Sequence, residues 1–148
     1  MDTNVLIIYT RGGEKVGLLE NTLNLLSRDN DVFVSVATIA ELRSFILQRD
    51  YGARRIRNLE ELLSQFTILD INTEDILNKY AEIDAFSQDK LKLKKSFFTA
   101  RNMGKNDLYI TATAGVYNLT LVTTDEDFNH LATDYLQLLY IDPSLYRN

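Results

Sequence analysis

Apolar residues recur along this chain in two rhythms, one of three to four residues and one of short unbroken runs. The first rhythm marks helices. Leu19, Leu23 and Leu26 predict a helix over Leu18–Leu26. Ile39, Leu42 and Ile46 predict one over Thr38–Gln48, and Ile56, Leu59, Leu63 and Phe66 one over Arg55–Phe66. Thr73 reads as the N-cap of a helix running to Phe86, with Ile76, Tyr80 and Ile83 inward. DLYITATAGVY, 107–117, is a further helix that Asn118 would end. The second rhythm predicts strands at Asp31–Val36, Thr67–Ile71, Leu119–Thr123 and Leu136–Ile141. Strands that are apolar throughout and separated by helices imply a parallel sheet covered on both faces: a three-layer α/β/α sandwich.

Composition narrows the class. The 148 residues suit one domain, 1–148, and 45% hydrophobic with 25% charged residues argues against disorder. There is one Pro, there are six Gly, and no repeat or low-complexity tract is visible. No apolar run has the length of a membrane helix, and no signal-peptide pattern opens the chain. With no Cys there is neither a disulfide framework nor a thiolate metal site. A soluble, cytoplasmic protein is expected.

In open parallel sheets, ligand sites lie beyond the carboxyl ends of the strands. A helix from Asp107 to Tyr117 carries the chain roughly 16 Å one way at 1.5 Å per residue. The strand Leu119–Thr123 returns it by roughly 16 Å at 3.3 Å per residue. Asp107 and Asp125 should therefore meet at one end of the sheet. Glu41, in the first turn after the strand Asp31–Val36, belongs at the same end, and Asp2 joins them if a strand precedes it. Each acid also has a plainer reading. Thr38-x-x-Glu41 fits a capping box, Asp107 a helix-start acid, Asp125 a turn residue before a helix capped by Thr124, and Asp2 a solvated terminal charge. The joint placement favours a site. Gathered carboxylates repel unless a cation compensates, and an all-oxygen donor set favours Mg²⁺ or Mn²⁺. Such an ion lowers the pKa of a bound water and steadies a phosphodiester's leaving oxygen.

Four blocks, MDTNVLI (1–7), SVATIAEL (35–42), MGKNDLYITATA (103–114) and LVTTDEDFNHL (121–131), resemble in order the motifs of PIN domains, above all the VapC-type ribonuclease toxins of toxin–antitoxin pairs. The short first two blocks are weak alone; the run through Asp107 and Asp125 is specific. The resemblance implies a metal-dependent endoribonuclease with Asp2, Glu41, Asp107 and Asp125 as the acidic metal-site residues. It implies Asn4 and Thr123 as supporting polar residues and Asp127 as an extra acid kept by some relatives. It also implies a cognate antitoxin, whose C-terminal segment would send an Arg to the acids, and a homodimer. In the family a whole apolar strand usually precedes the first acid, whereas here only Met1 does. Either a strand lies upstream of this sequence or the first strand is nearly absent, which would leave neighbouring backbone groups unpaired.

RNA must also be held. Net charge is −5, yet six of the sixteen basic residues fall in 90–105 without one acid: Lys90, Lys92, Lys94, Lys95, Arg101 and Lys105. This run leads into Asp107 and suits phosphate contact. Phe97 and Phe98 read better as core than as base-stacking residues, and YGARRIR (51–57) as a helix surface or partner contact. His130, the single histidine, reads as structural. Two function classes remain, the ribonuclease toxin and a PIN-like module that binds RNA or protein without cutting; a housekeeping RNA-processing nuclease is a variant of the first. Four intact acids favour the nuclease, since concentrating negative charge gains a pure RNA binder nothing. A phosphatase with Asp2 as nucleophile is weaker, because DTN lacks the second Asp usual there.

Overall fold

The computed structural model describes residues 1–92, 94 and 98–146. Its first helix, α1 (Thr3–Arg11), occupies a stretch to which the apolar rhythm assigns no element. Val5, Ile7 and Ile8 are β-branched and weak helix formers, but Val5 and Leu6 are fully buried, and packing overrides propensity. Asp2 caps the start by accepting a hydrogen bond from the Thr3 amide. Gly12 and Gly13, at φ 67° and 80°, end it in a conformation other residues avoid. The second helix, α2 (Glu14–Leu23), starts and ends earlier than the leucine spacing predicts, because Asn24 turns left-handed at φ 49°.

The remaining elements follow the predicted order. They are β1 (Phe33–Ser35), α3 (Val36–Arg49), α4 (Ala53–Leu63), β2 (Thr67–Leu69), α5 (Glu74–Ser87), α6 (Lys105–Val116), β3 (Thr120–Thr123) and β4 (Gln137–Tyr140). Thr73 does cap α5, accepting from the Ile76 amide, and Asn118 does turn the chain after α6, at φ 52°. All strand pairs are parallel: β1 with β2, and β3 with β4 in the register Thr120–Gln137 to Thr123–Tyr140. Both faces are covered, as β3 shows residue by residue. Leu121 packs into the cluster under α5 and α6, and its neighbour Val122 into the opposite cluster with Val5, Tyr9 and Leu19.

The strands form two separate two-stranded sheets, β1–β2 and β3–β4, rather than the single central sheet expected. Between β1 and β3 the described residues supply no full-length strand, only residues 1 and 2. The Met1 amine donates to the Phe33 carbonyl at 2.8 Å, and the Asp2 amide to the Val122 carbonyl at 3.0 Å. The space continuing this line is an apolar cavity of about 380 Å³ between Val34, Ile110, Leu121 and Leu139. Burial lowers the Met1 amine to a pKa of about 6.

Candidate active site

Asp2 is 3% exposed and fully engaged, not a solvated terminal charge. Its Oδ1 accepts from the Thr3 amide at 2.6 Å and its Oδ2 from the Thr123 hydroxyl at 2.7 Å. The same Thr123 oxygen, wholly buried at the end of β3, accepts from the Asp125 amide at 3.0 Å. One hydroxyl therefore ties together the two acids that leave the adjoining ends of the sheet. Burial raises the Asp2 pKa, against the opposing effect of these donors.

Glu41 lies in the second turn of α3, not the first. Ser35 caps that helix by accepting from the Ala37 amide, so the Thr38–Glu41 capping box is not formed, and the buried Thr38 hydroxyl has no hydrogen-bond partner among the described residues. Glu41 instead turns across the site. Its Oε2 accepts from the Thr3 hydroxyl, and its Oε1 from Asn106 Nδ2 at 2.8 Å. Thr3 and Asn106 are site residues the sequence reading missed; each adjoins an acid of interest, Asp2 or Asp107, which is the signal that was available.

Asp107 stands in the first turn of α6, whose N-cap is Gly104. A Cβ at Gly104 would meet Asp107 Oδ2 at 2.6 Å, so any other residue here would make this carboxylate turn away from its present position. Burial first, then the charges of Asp2, Glu41, Asp125 and Asp127, push the Asp107 pKa up to about 7. Asp125 caps the short 3₁₀ helix Glu126–Leu131, its Oδ1 accepting from the Asp127 amide at 2.9 Å; the cap is Asp125 itself and not Thr124. Asp2, Glu41 and Asp107 line a cavity of about 440 Å³, and Asp125 and Asp127 line a second of about 760 Å³. Asn4, Ile7 and Phe45 line both, so the two are halves of one groove.

A family model for the PIN domain matches residues 1–134. The chain belongs to the PIN domain family. This PIN domain is 30% identical over 129 residues to Ribonuclease VapC2 of Haemophilus influenzae, a match covering 84% of each chain. Among solved structures it is similar to VapBC2 from Rickettsia felis bound to a promoter DNA fragment, with TM-score 0.75, 25% identity and 95% and 96% of the two chains covered. It also shares its fold with VapBC-1 from nontypeable Haemophilus influenzae, at TM-score 0.68, 22% identity and 94% of each chain. The expected α/β architecture is that of its structural neighbours.

The four acids of this PIN domain suit a hard divalent cation by their chemistry. All donors are oxygen, and after burial it is the charge of the neighbouring acids that raises the Asp107 pKa. Among the described residues no three carboxylates converge to ligand distance.

The basic run divides. Lys94 is drawn to Asp134 at 2.8 Å and lies over the Tyr135 ring at 4.5 Å, so it is engaged away from the acids. Arg101 faces Asp127 at 3.4 Å. Lys90 donates to Gln88, and Lys92 and Lys105 are exposed. Lys95 and Phe97 lie outside the described residues. Phe98 packs edge-on against Phe86 and His130, as the core reading expects. His130 ties the 3₁₀ helix to α5: its Nδ1 donates to the Asp127 carbonyl at 2.7 Å and its Nε2 meets the buried Ser87 hydroxyl at 2.8 Å. Burial lowers its pKa, which favours the neutral ring and a structural role.

Proposed function

We propose that this PIN domain is a metal-dependent endoribonuclease and the toxin of a toxin–antitoxin pair, in which Asp2, Glu41, Asp107 and Asp125 hold Mg²⁺ or Mn²⁺. The observation that carries the reading is geometric: Asp2, Glu41 and Asp107 face an open groove that continues, past Asn4, Ile7 and Phe45, to Asp125. Ribonuclease VapC2, with 30% identity, supports the activity. Hydrolysis adds a water oxygen to phosphorus and breaks a phosphorus–ester oxygen bond; the leaving oxygen takes up a proton. The bound ion would supply the acidified water and the charge that steadies that oxygen. The chain's own share is positional. Thr123 and the Thr3 amide orient Asp2, Thr3 and Asn106 orient Glu41, and Gly104 leaves Asp107 free to face the groove. Asn4, in both halves of the groove, is suited to contact the sugar–phosphate backbone.

The partner reading rests on the neighbours, which are described as VapBC complexes. An antitoxin Arg reaching the acids would compete with the metal. The inward faces of α3 and α4 are spent on α1, with Leu42 and Leu59 buried beside Leu6, so the apolar footing left on α3 is Leu47, 83% exposed. A homodimer and a cytoplasmic setting complete the proposal; no helix among the described residues is long and apolar enough to cross a membrane.

Cleavage of an RNA panel with Mg²⁺, wild type against Asp107→Asn, tests the chemistry. Wild-type cleavage lost in the variant supports it, and equal activity removes it. Co-expression with the adjacent small gene tests the toxin role. A chain harmless in cells, active on RNA and indifferent to that neighbour would be an RNA-processing nuclease instead.

A further inference from the structure

Two of the helices that carry the acids at one end carry an arginine at the other. Arg11 closes α1, nine residues beyond Asp2, and Arg49 closes α3, eight residues beyond Glu41. At 1.5 Å per residue these separations are about 14 and 12 Å, so both cations stand at a similar remove from the carboxylates. Both line the 760 Å³ half of the groove that runs on, past Asn4, Ile7 and Phe45, from the acid half. Neither forms an ion pair among the described residues, although Asp125, Glu126 and Asp127 line the same space.

Arg49 is also held. Its guanidinium lies 4.3 Å from the Phe45 ring centre, Phe45 meets Tyr51 edge-on at 6.0 Å, and Arg55 covers Tyr51 at 4.5 Å. A guanidinium stacked on an aromatic face keeps its N–H groups in the ring-parallel plane, where a phosphate can be met by two at once. Part of the ordering cost of that side chain is thereby met before a ligand arrives.

We propose that Arg11 and Arg49 form a phosphate-binding subsite for single-stranded RNA, which grips the backbone a short step along the strand from the bond at the acids. The inference rests on the ribonuclease reading and adds the residues that place the substrate. The subsite also resolves an electrostatic problem: a polyanion must enter an acidic groove, and two cations beyond the acids give it a fixed far anchor. It assigns the grip to a region that sequence reading passed over in favour of residues 90–105, where Lys94 is already engaged by Asp134.

The test compares wild type with the double variant Arg11→Ala, Arg49→Ala, and with Arg11→Lys, Arg49→Lys. Binding of an end-labelled RNA oligonucleotide is followed by anisotropy across a salt titration, and cleavage is measured in parallel. The alanine variant should bind about tenfold more weakly, with its log–log salt slope shallower by about 1.4, the value for two lost single-strand contacts. The loss should fall on KM more than on kcat, and the lysine variant should recover the salt slope but only part of the affinity. A dinucleotide, too short to reach both ends of the groove, should be bound and cut alike by all three proteins. Unchanged binding and slope in a folded alanine variant overturn the subsite, as does a defect confined to capture of the neighbouring gene's protein product. RNA binding that weakens as expected, with no cleavage by any form, upholds the subsite and removes the nuclease reading.

Discussion

The gap between β1 and β3 is filled in two different ways at its two ends. At the acid end, residues 1 and 2 restore one hydrogen bond to each side, and Asp2 sits in a network where every oxygen has a donor. At the other end the described residues leave an apolar cavity of about 380 Å³. The acid end is electrostatically tense but geometrically determined; the cavity end is electrically quiet but loosely filled.

Changes at the two ends should therefore fail differently. The largest effect belongs to the acids. Asp125→Asn should lower RNA cleavage at least about hundredfold, roughly 2.7 kcal/mol in the barrier. In metal-free buffer its Tm should match or exceed wild type, because a repelling charge is gone; a lowered Tm with retained cleavage would reverse the comparison. Titrating Mg²⁺ should raise the wild-type Tm by linkage, and that rise should shrink in the variant.

At the cavity end, Leu121→Ala should do the opposite. Leu121 is 2% exposed and borders the cavity, so its truncation enlarges an existing void. Chemical denaturation should show a loss of about 2–4 kcal/mol, while turnover per folded molecule at low temperature stays near wild type. Loss of turnover in the folded fraction would mean the two ends are mechanically coupled.

The smallest effect is a pH dependence. The Asp107 carboxyl titrates near 7 in the folded protein and near 3.9 when unfolded, so between those values the folded state binds the extra proton. Metal-free stability should then rise as pH falls from 8 towards 5 and level off below about 4. The change should be on the order of a few degrees in Tm, since the group is only half-buried. Asp107→Asn should reduce the slope, leaving the part due to Asp2, whose pKa burial also raises. A thermal scan with a chelator present, showing the steeper slope in the variant, would disprove the assignment.

Much of this was legible in the sequence because it follows from lengths and caps. The matched rise of α6 and β3 put Asp107 and Asp125 at the same end of the fold, where Asp125 adds to the charge around Asp107, and Thr73 announced α5. The first helix was not legible: VLII reads as strand or helix alike, and only burial against α3 and α4 decides it. Nor was the cap of α3, since Ser35 takes the place that Thr38 seemed to offer. The contribution of Gly104 depends on an atom that glycine lacks, and no rhythm records that. Within residues 90–105, which cations already have partners is a three-dimensional fact: Lys94 meets Asp134 and Arg101 meets Asp127.

The Thr123 hydroxyl has a consequence for timescale. It accepts from the Asp125 amide and donates to Asp2, so its hydrogen bonds run in one direction and neither can be exchanged for water without exposing a wholly buried side chain. The turn after β3 is therefore not a loop in the kinetic sense. It opens only when the strand opens, and the half-exposed Asp125 inherits the slow clock of the sheet interior.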